Sequence, residues 1–255
     1  MKILLTNDDG IHAPGLKKLN KNLKEFAEVI VVAPDRERSG SGCSASIYQT
    51  VRCQKIWSGK DFQGYALSGT PVDCIMIGLE MFTEKDKPDL IISGINAGAN
   101  LGRDIFYSGT VGAAIEGAYH NIPSIAVSIN QKEEPYYDTA VKVIGKIIQT
   151  IPLENFSQQQ VLNINIPNVV YSAINGIKLT KLARIFHQKN IQRIHYSEHA
   201  EYFWIEGSQP EGVMEENSDY WAICNNYISI TSVSLELMQN PSYGYLDKWV
   251  HNLKI

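Results

Sequence analysis

Short, uninterrupted apolar segments alternate with amphipathic segments through the first two thirds of this chain. The predicted strands cover residues 2–6, 29–34, 88–96, 123–130 and 161–167. Strands that are apolar along their whole length are typical of a parallel sheet that is covered by helices on both faces. We therefore predict a doubly wound, mostly parallel α/β fold.

The helices between these strands are indicated by apolar spacing and by residues that favour helix ends. Apolar residues follow Pro14 at spacings of three and four, and a similar stripe covers residues 141–148. Thr70 and Pro71 suit the N-cap and the first helical position of another helix. Small side chains dominate a further predicted helix over 109–120. The helix after Thr70 is predicted to bury Val72, Ile75, Met76, Leu79 and Phe82.

The pattern changes at about residue 170. Apolar and polar residues alternate with a period of two in 170–210, which predicts half-exposed antiparallel strands in a projecting hairpin or arm. Residues 227–233 are predicted to return as a strand, and a terminal amphipathic helix carries a stripe of Leu246, Trp249, Val250 and Leu253. We accordingly divide the chain into an α/β core, 1–169, and a C-terminal part, 170–255. The arm and stripe either pack on their own domain or join a partner subunit.

The composition argues against two classes of binding partner, nucleic acid polymers and anionic membranes. The 255 residues include 23 Lys and Arg against 27 Asp and Glu, a net charge of −4. Such a chain has no overall basic field to attract a nucleic acid polymer or an anionic membrane, so a bound anion must be held locally. No signal peptide and no apolar run of roughly 18 residues are recognisable. The scattered cysteines are interpreted as free thiols of a cytoplasmic protein: Cys43, Cys53, Cys74 and Cys224.

Polar, glycine-rich segments follow three of the predicted strands. They are "NDDG" at 7–10, "DRERSGSGCS" at 35–44 and "SGINAGANLGRDIFYSGTVGAA" at 93–114. Ligands of open parallel sheets bind at the carboxyl ends of the strands. We therefore expect the three segments to converge on one crevice.

Two adjacent carboxylates, Asp8 and Asp9, end the first strand. They repel each other unless a cation lies between them. The alternative is that one of them is a solvated turn residue or a helix cap. Ser39 and Asn96 are candidate neutral ligands from the other two segments. An all-oxygen set without sulfur or imidazole favours Mg²⁺ or Mn²⁺ over zinc.

The third segment also predicts a phosphate site. Ser108, Gly109 and Thr110 stand where a helix begins, and the first backbone N–H groups of a helix lack internal partners. An ordinary capped helix with small residues for close packing is the alternative. A metal beside a phosphate site indicates hydrolysis of a phosphate ester by a metal-bound water. Asp8 or Asp9 would position that water or take its proton, with the division of roles left open.

The three segments resemble the SurE family of metal-dependent 5′/3′-nucleotidases. The matching stretches are "ILLTNDDGIHAPG" (3–15), "VVAPDRERSGSG" (31–42), "LSGTPVDC" (67–74), "PDLIISGINAGANLG" (88–102) and "YSGTVGAAIEGA" (107–118). A closing segment, 218–233, is also similar, with Asn226 where the family has a glycine. The resemblance implies a Rossmann-like, SurE-type core that hydrolyses nucleoside 5′-monophosphates, and in some members 3′-nucleotides or short polyphosphate.

The resemblance also implies roles for individual residues. One divalent ion per subunit would be held by Asp8, Asp9, Ser39 and Asn96. The expected catalytic residues are Asp8, Asp9, Asn96 and Ser108, and the expected substrate-binding residues are Asn7, Gly40, Asn96, Asn100, Ser108, Gly109 and Thr110. A homodimer or homotetramer would form through the C-terminal arm. A nucleotide-binding regulatory module without catalysis is the remaining alternative function.

Overall fold

The computed structural model of the protein describes residues 1–81, 86–130, 134–156, 160–196, 200–212 and 214–235. The strands within these residues are β1 (Lys2–Thr6), β2 (Glu28–Pro34), β3 (Cys53–Ser58), β4 (Asp61–Leu67), β5 (Leu90–Ala97), β6 (Ser124–Asn130), β7 (Gln160–Pro167), β8 (Ile177–Thr180), β9 (Ile185–Tyr196), β10 (Glu201–Gly212) and β11 (Ile228–Ser234). The α-helices are α1 (Pro14–Leu23), α2 (Pro71–Glu80), α3 (Gly109–Tyr119), α4 (Tyr137–Thr150) and α5 (Asp219–Cys224).

Nine of the described strands form one sheet in the order β3-β4-β2-β1-β5-β6-β7-β11-β8. Neighbouring strands run parallel except in the pairs β3–β4 and β7–β11. β1 lies between β2 and β5, so the segments that follow these three strands start at adjacent points of one edge. The predicted doubly wound, mostly parallel fold is confirmed.

The two faces of β1 show why helices cover both sides of the sheet. Ile3 and Leu5 belong to the core that also contains the apolar stripes of α1 and α4. Leu4 points the other way, into a core with Cys74 and Ile75 of α2. Full burial of each such side chain stabilises the fold by roughly 1.5–3 kcal/mol. A strand with alternating polar residues would leave one of these helix layers without a partner.

The buried face of α2 differs from the prediction at Met76, and Leu79 is only partly buried. Val72 and Ile75 are buried, but Met76 is 40% exposed, so its predicted burial is wrong. Gly78, by contrast, is buried. It lies so close to the sheet that a methyl group there would be 3.1 Å from the side chain of Leu4. Phe82 lies outside the described residues.

The segment 170–210 is only partly an arm. β9 and β10 form the predicted antiparallel hairpin as a separate two-stranded sheet. β8 instead pairs in parallel with β11 at the edge of the main sheet, so its assignment to an antiparallel arm is wrong. The chain passes through the hairpin and α5 between β8 and β11, and a connection of that length permits parallel pairing.

Several elements were not predicted, or lie outside the described residues. The helix α5 and the β3–β4 hairpin had no prediction. The predicted returning strand is confirmed as β11, which follows a turn where Asn226 has φ +57°. Asparagine tolerates this left-handed conformation better than most residues, so it suits the place of a family glycine. The terminal stripe of 246–253 lies outside the described residues. No described helix has the length and hydropathy needed to cross a membrane.

Asp73 joins the start of α2 to the segment after β2. Its carboxylate accepts hydrogen bonds from the backbone and hydroxyl of Ser46, at 2.8 and 2.7 Å, and from the Thr70 backbone at 2.7 Å. The Thr70 hydroxyl accepts from the Asp73 backbone at 3.1 Å, which completes a capping box. Burial raises the pKa of Asp73, but these hydrogen bonds outweigh it and hold the pKa below its ordinary value.

We expect Asp73→Asn to lower the free energy of unfolding at pH 7 by about 1–2 kcal/mol, because it removes charged acceptors of backbone donors. The depressed pKa in the folded state means that this stabilisation is present above the pKa of the unfolded chain. It is lost as the pH falls through the folded pKa. Urea unfolding at several pH values measures the effect, with the exposed Asp61→Asn as control. A constant difference between wild type and Asp73→Asn down to strongly acidic pH would contradict it.

Candidate functional site

The segments after β1, β2 and β5 meet at Asp8 and Asp9. The backbone N–H of Arg38, from the second segment, donates to the Asp8 carbonyl at 2.7 Å. From the third segment, the N–H of Ala97 donates to Asp9 Oδ2 at 3.3 Å, and Thr110 donates to the Asp8 carboxylate. The predicted convergence of the three segments is therefore observed.

The carboxylate of Asp8 is buried against the first turn of α3. Its side chain is 3% exposed, and both the hydroxyl and the backbone N–H of Thr110 face it as donors. Burial raises the pKa of Asp8 even though the Thr110 hydrogen bonds oppose the shift. The start of a helix carries positive potential, which partly compensates this buried charge. Asp8 is thus not the solvated turn residue of the alternative interpretation.

Asp9 is the more accessible carboxylate of the pair. Burial and the neighbouring charge of Asp8 raise its pKa to about 6, and the Ala97 N–H opposes this. The charge of Glu37 makes a smaller contribution that also raises the pKa of both aspartates. This concentration of negative charge is the electrostatic setting in which a cation is stabilising.

The two predicted neutral metal ligands lie next to these contacts. Ser39 follows Arg38 directly and its hydroxyl donates to Glu37 Oε1 at 2.8 Å. Asn96 precedes Ala97, and its Nδ2 donates to the Gly98 carbonyl at 2.7 Å, which leaves Oδ1 as its acceptor atom. Each candidate is one residue away from a hydrogen bond to the aspartate pair.

The predicted phosphate site at α3 is partly occupied by protein groups. Ser108 is the N-cap, and its Oγ accepts from the Val111 backbone at 3.1 Å. The donors of Thr110 are directed at Asp8. Gly109 allows close approach, since a methyl group there would lie 2.9 Å from Asp8 Cβ. The small residues also serve packing, because a methyl group at Gly112 would lie 2.3 Å from a carbonyl of the second segment.

The remaining predicted substrate residues shape the segments. Asn7 is fully buried and closes the first turn with two hydrogen bonds to the backbone of Gly10, at 3.1 and 3.2 Å. Gly40 has φ +75° in the exposed second segment. Asn100 is buried between β6 and β7, where its Nδ2 donates to Ser128 at 2.8 Å. These placements make Asn7 and Asn100 supports of the backbone around the site.

Sequence reasoning missed Ser41. Its Oγ is buried and has no hydrogen-bond partner within the part of the chain that the structure describes. A methyl group at Gly109 would lie 2.6 Å from this oxygen, so Ser41 lies at the start of α3 beside Asp8. An orphaned hydroxyl at this place is available to a bound group. The repeated Ser-Gly of 39–42 was the only signal for it.

Asp219 was also missed, and it holds the third segment in place. This fully buried carboxylate accepts hydrogen bonds from the backbones of Gly102 at 2.9 Å, Ala183 at 2.8 Å and Tyr220 at 2.8 Å. It thereby connects the chain that leads to Ser108 with the residues that precede the β9–β10 hairpin. A helix-start motif, Ser218 followed by an acidic residue, was the available signal, but it does not reveal the distant partners.

The donor set fits a hard divalent ion. The carboxylates of Asp8 and Asp9, with the hydroxyl of Ser39 and the amide oxygen of Asn96 on adjoining segments, are the ligand types that suit Mg²⁺ or Mn²⁺. Among the described residues, no group of three or more His, Cys, Asp or Glu side chains is arranged to hold a metal. A site here would therefore depend on neutral oxygens in addition to the two aspartates.

Comparison with known proteins shows which family this chain is similar to. A family model described as "Survival protein SurE" matches residues 3–189. The chain is 41% identical to the 5′/3′-nucleotidase SurE of Wigglesworthia glossinidia brevipalpis, over 99% of this chain and 98% of that protein. It is 39% identical to the 5′-nucleotidase SurE of Petrotoga mobilis, over 98% and 99%. The crystal structure of the SurE protein from Aquifex aeolicus superposes with a TM-score of 0.84 at 37% identity, covering 99% of this chain and all of that one.

We expect Gly109→Ala to weaken Mn²⁺ binding by about tenfold or more, because its methyl group would displace Asp8 or Ser41. Gly145→Ala in α4 is the matched control, since a methyl group there meets only the movable side chain of Asn22. Calorimetric titration with Mn²⁺ measures the difference, and far-UV circular dichroism checks the fold. Equal Mn²⁺ affinity in both variants would show that the packing at Gly109 does not shape the site.

Proposed function

This chain belongs to the SurE family, and we propose on that premise that it is a divalent-metal-dependent phosphomonoesterase that hydrolyses nucleoside monophosphates. The products are a nucleoside and phosphate. The buried, adjacent carboxylates Asp8 and Asp9 at the junction of three segments carry this proposal. Relatives with nucleotidase names favour an enzyme over a regulatory module without catalysis.

One divalent ion per subunit, Mg²⁺ or Mn²⁺, would be held by Asp8, Asp9, Ser39 and Asn96. Such an ion neutralises phosphate charge and lowers the pKa of a bound water. The donor chemistry of the four residues and the negative charge around Asp8 support this assignment.

The chain's own residues divide the remaining work. Asp8 is locked by Thr110, so it acts as a fixed anchor of the site. Asp9 accepts one backbone hydrogen bond and is less buried, so it is the carboxylate that positions the attacking water. The phosphate is bound by neutral donors, the hydroxyls of Ser108 and Ser41, since the backbone N–H groups of Thr110 and Val111 are already engaged by Asp8 and by Ser108 Oγ. Neutral donors suit a chain whose net charge is −4.

The substrate range includes 5′-nucleotides and 3′-nucleotides, and short polyphosphate as an additional substrate. Support for the two nucleotide classes comes from the names of the relatives, which specify 5′ or 5′/3′ activity. A cytoplasmic location is supported by the four cysteines, all of which are free thiols.

The C-terminal arm is proposed to form a homodimer or homotetramer. Its two strands have 12 residues each and would extend by about 40 Å. They expose large apolar side chains: Ile191, Ile194, Tyr202, Phe203, Trp204 and Ile205. A patch of this kind on a projecting hairpin is typical of a subunit contact.

Release of phosphate from AMP tests the proposed function. We expect activity that EDTA abolishes and Mn²⁺ restores, and we expect Asp9→Asn to reduce kcat by a factor of at least about 100 with an unchanged fold. Asp138→Asn is the control, because that carboxylate is exposed and pairs with the surface Lys18. Phosphate release that persists in EDTA, or full activity of Asp9→Asn, would contradict a metal-dependent role of the pair.

Sedimentation velocity tests the proposed arm contact. We expect Trp204→Ser to shift the oligomer towards monomer, because it removes a large apolar side chain from the arm. Trp57→Ser on β3 is closely matched, since both tryptophans are 57% exposed. If the two variants sediment alike, the arm does not hold the subunits together.

A further inference from the structure

An exposed aromatic pair, Phe106 and Tyr107, directly precedes the N-cap Ser108. Phe106 is 73% exposed and Tyr107 is 56% exposed. Two neighbouring large aromatic residues that are more than half exposed gain little stabilisation from burial, so a binding role accounts for them better than folding does.

The backbone beneath the pair is held rigidly. A 3₁₀ helix, Gly102–Phe106, ends there, and Asp104 accepts the backbone hydrogen bonds of Tyr107 and Ser108 at 3.0 and 3.1 Å. The start of this helix is held by the hydrogen bond from Gly102 to the buried Asp219. A rigid support reduces the entropic cost of binding a flat ligand against the rings.

The backbone of the aromatic pair also contacts the second segment, which carries the proposed metal ligand Ser39. The N–H of Gly42 donates to the Tyr107 carbonyl at 3.0 Å. Gly42 has φ +54°, and a methyl group there would lie 2.9 Å from the Phe106 carbonyl. The segment that carries Ser39 and Ser41 is thus packed on the backbone of the aromatic pair. The backbone that carries the two rings therefore borders the place proposed for the phosphate.

The proposed site contains donors for phosphate and oxygens for a metal, and neither recognises a nucleobase. We propose that Phe106 and Tyr107 form a stacking platform for the base of the nucleotide, an inference that rests on the proposed function. Every nucleobase has a π-face, so stacking selects nucleotides over plain sugar phosphates with little preference among the bases.

The ratio of kcat/KM for AMP to kcat/KM for ribose 5-phosphate tests the platform, because only AMP has a base. We expect this ratio to fall by about tenfold or more in the double variant Phe106→Ala/Tyr107→Ala, mainly through the KM of AMP. Phe106→Trp, which keeps a ring, should retain the ratio. Tyr119→Ala is the matched control, since Tyr119 is 52% exposed at the far end of α3.

An unchanged ratio in the double variant would overturn the platform. So would a parallel loss on both substrates together with a changed sedimentation coefficient, because the rings would then be covered by a second copy of the chain. A wild-type protein that hydrolyses neither compound would overturn the proposed function instead. Calorimetric binding of AMP to the wild type and the double variant then decides the platform by itself, since equal affinities would exclude it.

Discussion

The buried charge of Asp8 is the constraint on which the rest of the site depends. A carboxylate that is removed from water without partners destabilises a fold by several kcal/mol. Here it lies at the start of α3, where both donors of Thr110 face it. Gly109 has no side chain because Asp8 and Ser41 occupy that space. The small residues at the start of α3 therefore accommodate a protein carboxylate as well as a ligand.

The strand order explains why three distant segments reach this carboxylate. β1 has β2 on one side and β5 on the other, so the order of the strands reverses direction at β1. Such a switch point opens a crevice at the carboxyl ends of the strands. Asp219 extends the arrangement, because it joins the third segment to the root of the hairpin. The proposed site and the proposed subunit contact thus share one buried support.

Much of the α/β core was predictable because its signals are local. An apolar run such as β1 indicates a buried strand from a few neighbouring residues. A residue such as Thr70 indicates the start of a helix in the same way. The failures concern long-range geometry. Met76 was misplaced because Gly78 sets the approach of α2 to Leu4. β8 was misassigned because 47 residues of chain separate it from its partner, β11.

The sequence by itself determined the alternation of strands and helices, the carboxylate pair and the three polar segments, because each depends on neighbouring residues. The tertiary structure decided which donors are already engaged. Thr110 faces Asp8, and Asn100 is buried between β6 and β7, although both were expected to bind substrate. It also brought Ser41 and Asp219 into the site. Hydrogen bonds across about a hundred residues of chain form only once the sheet has set the distances, and no local pattern encodes them.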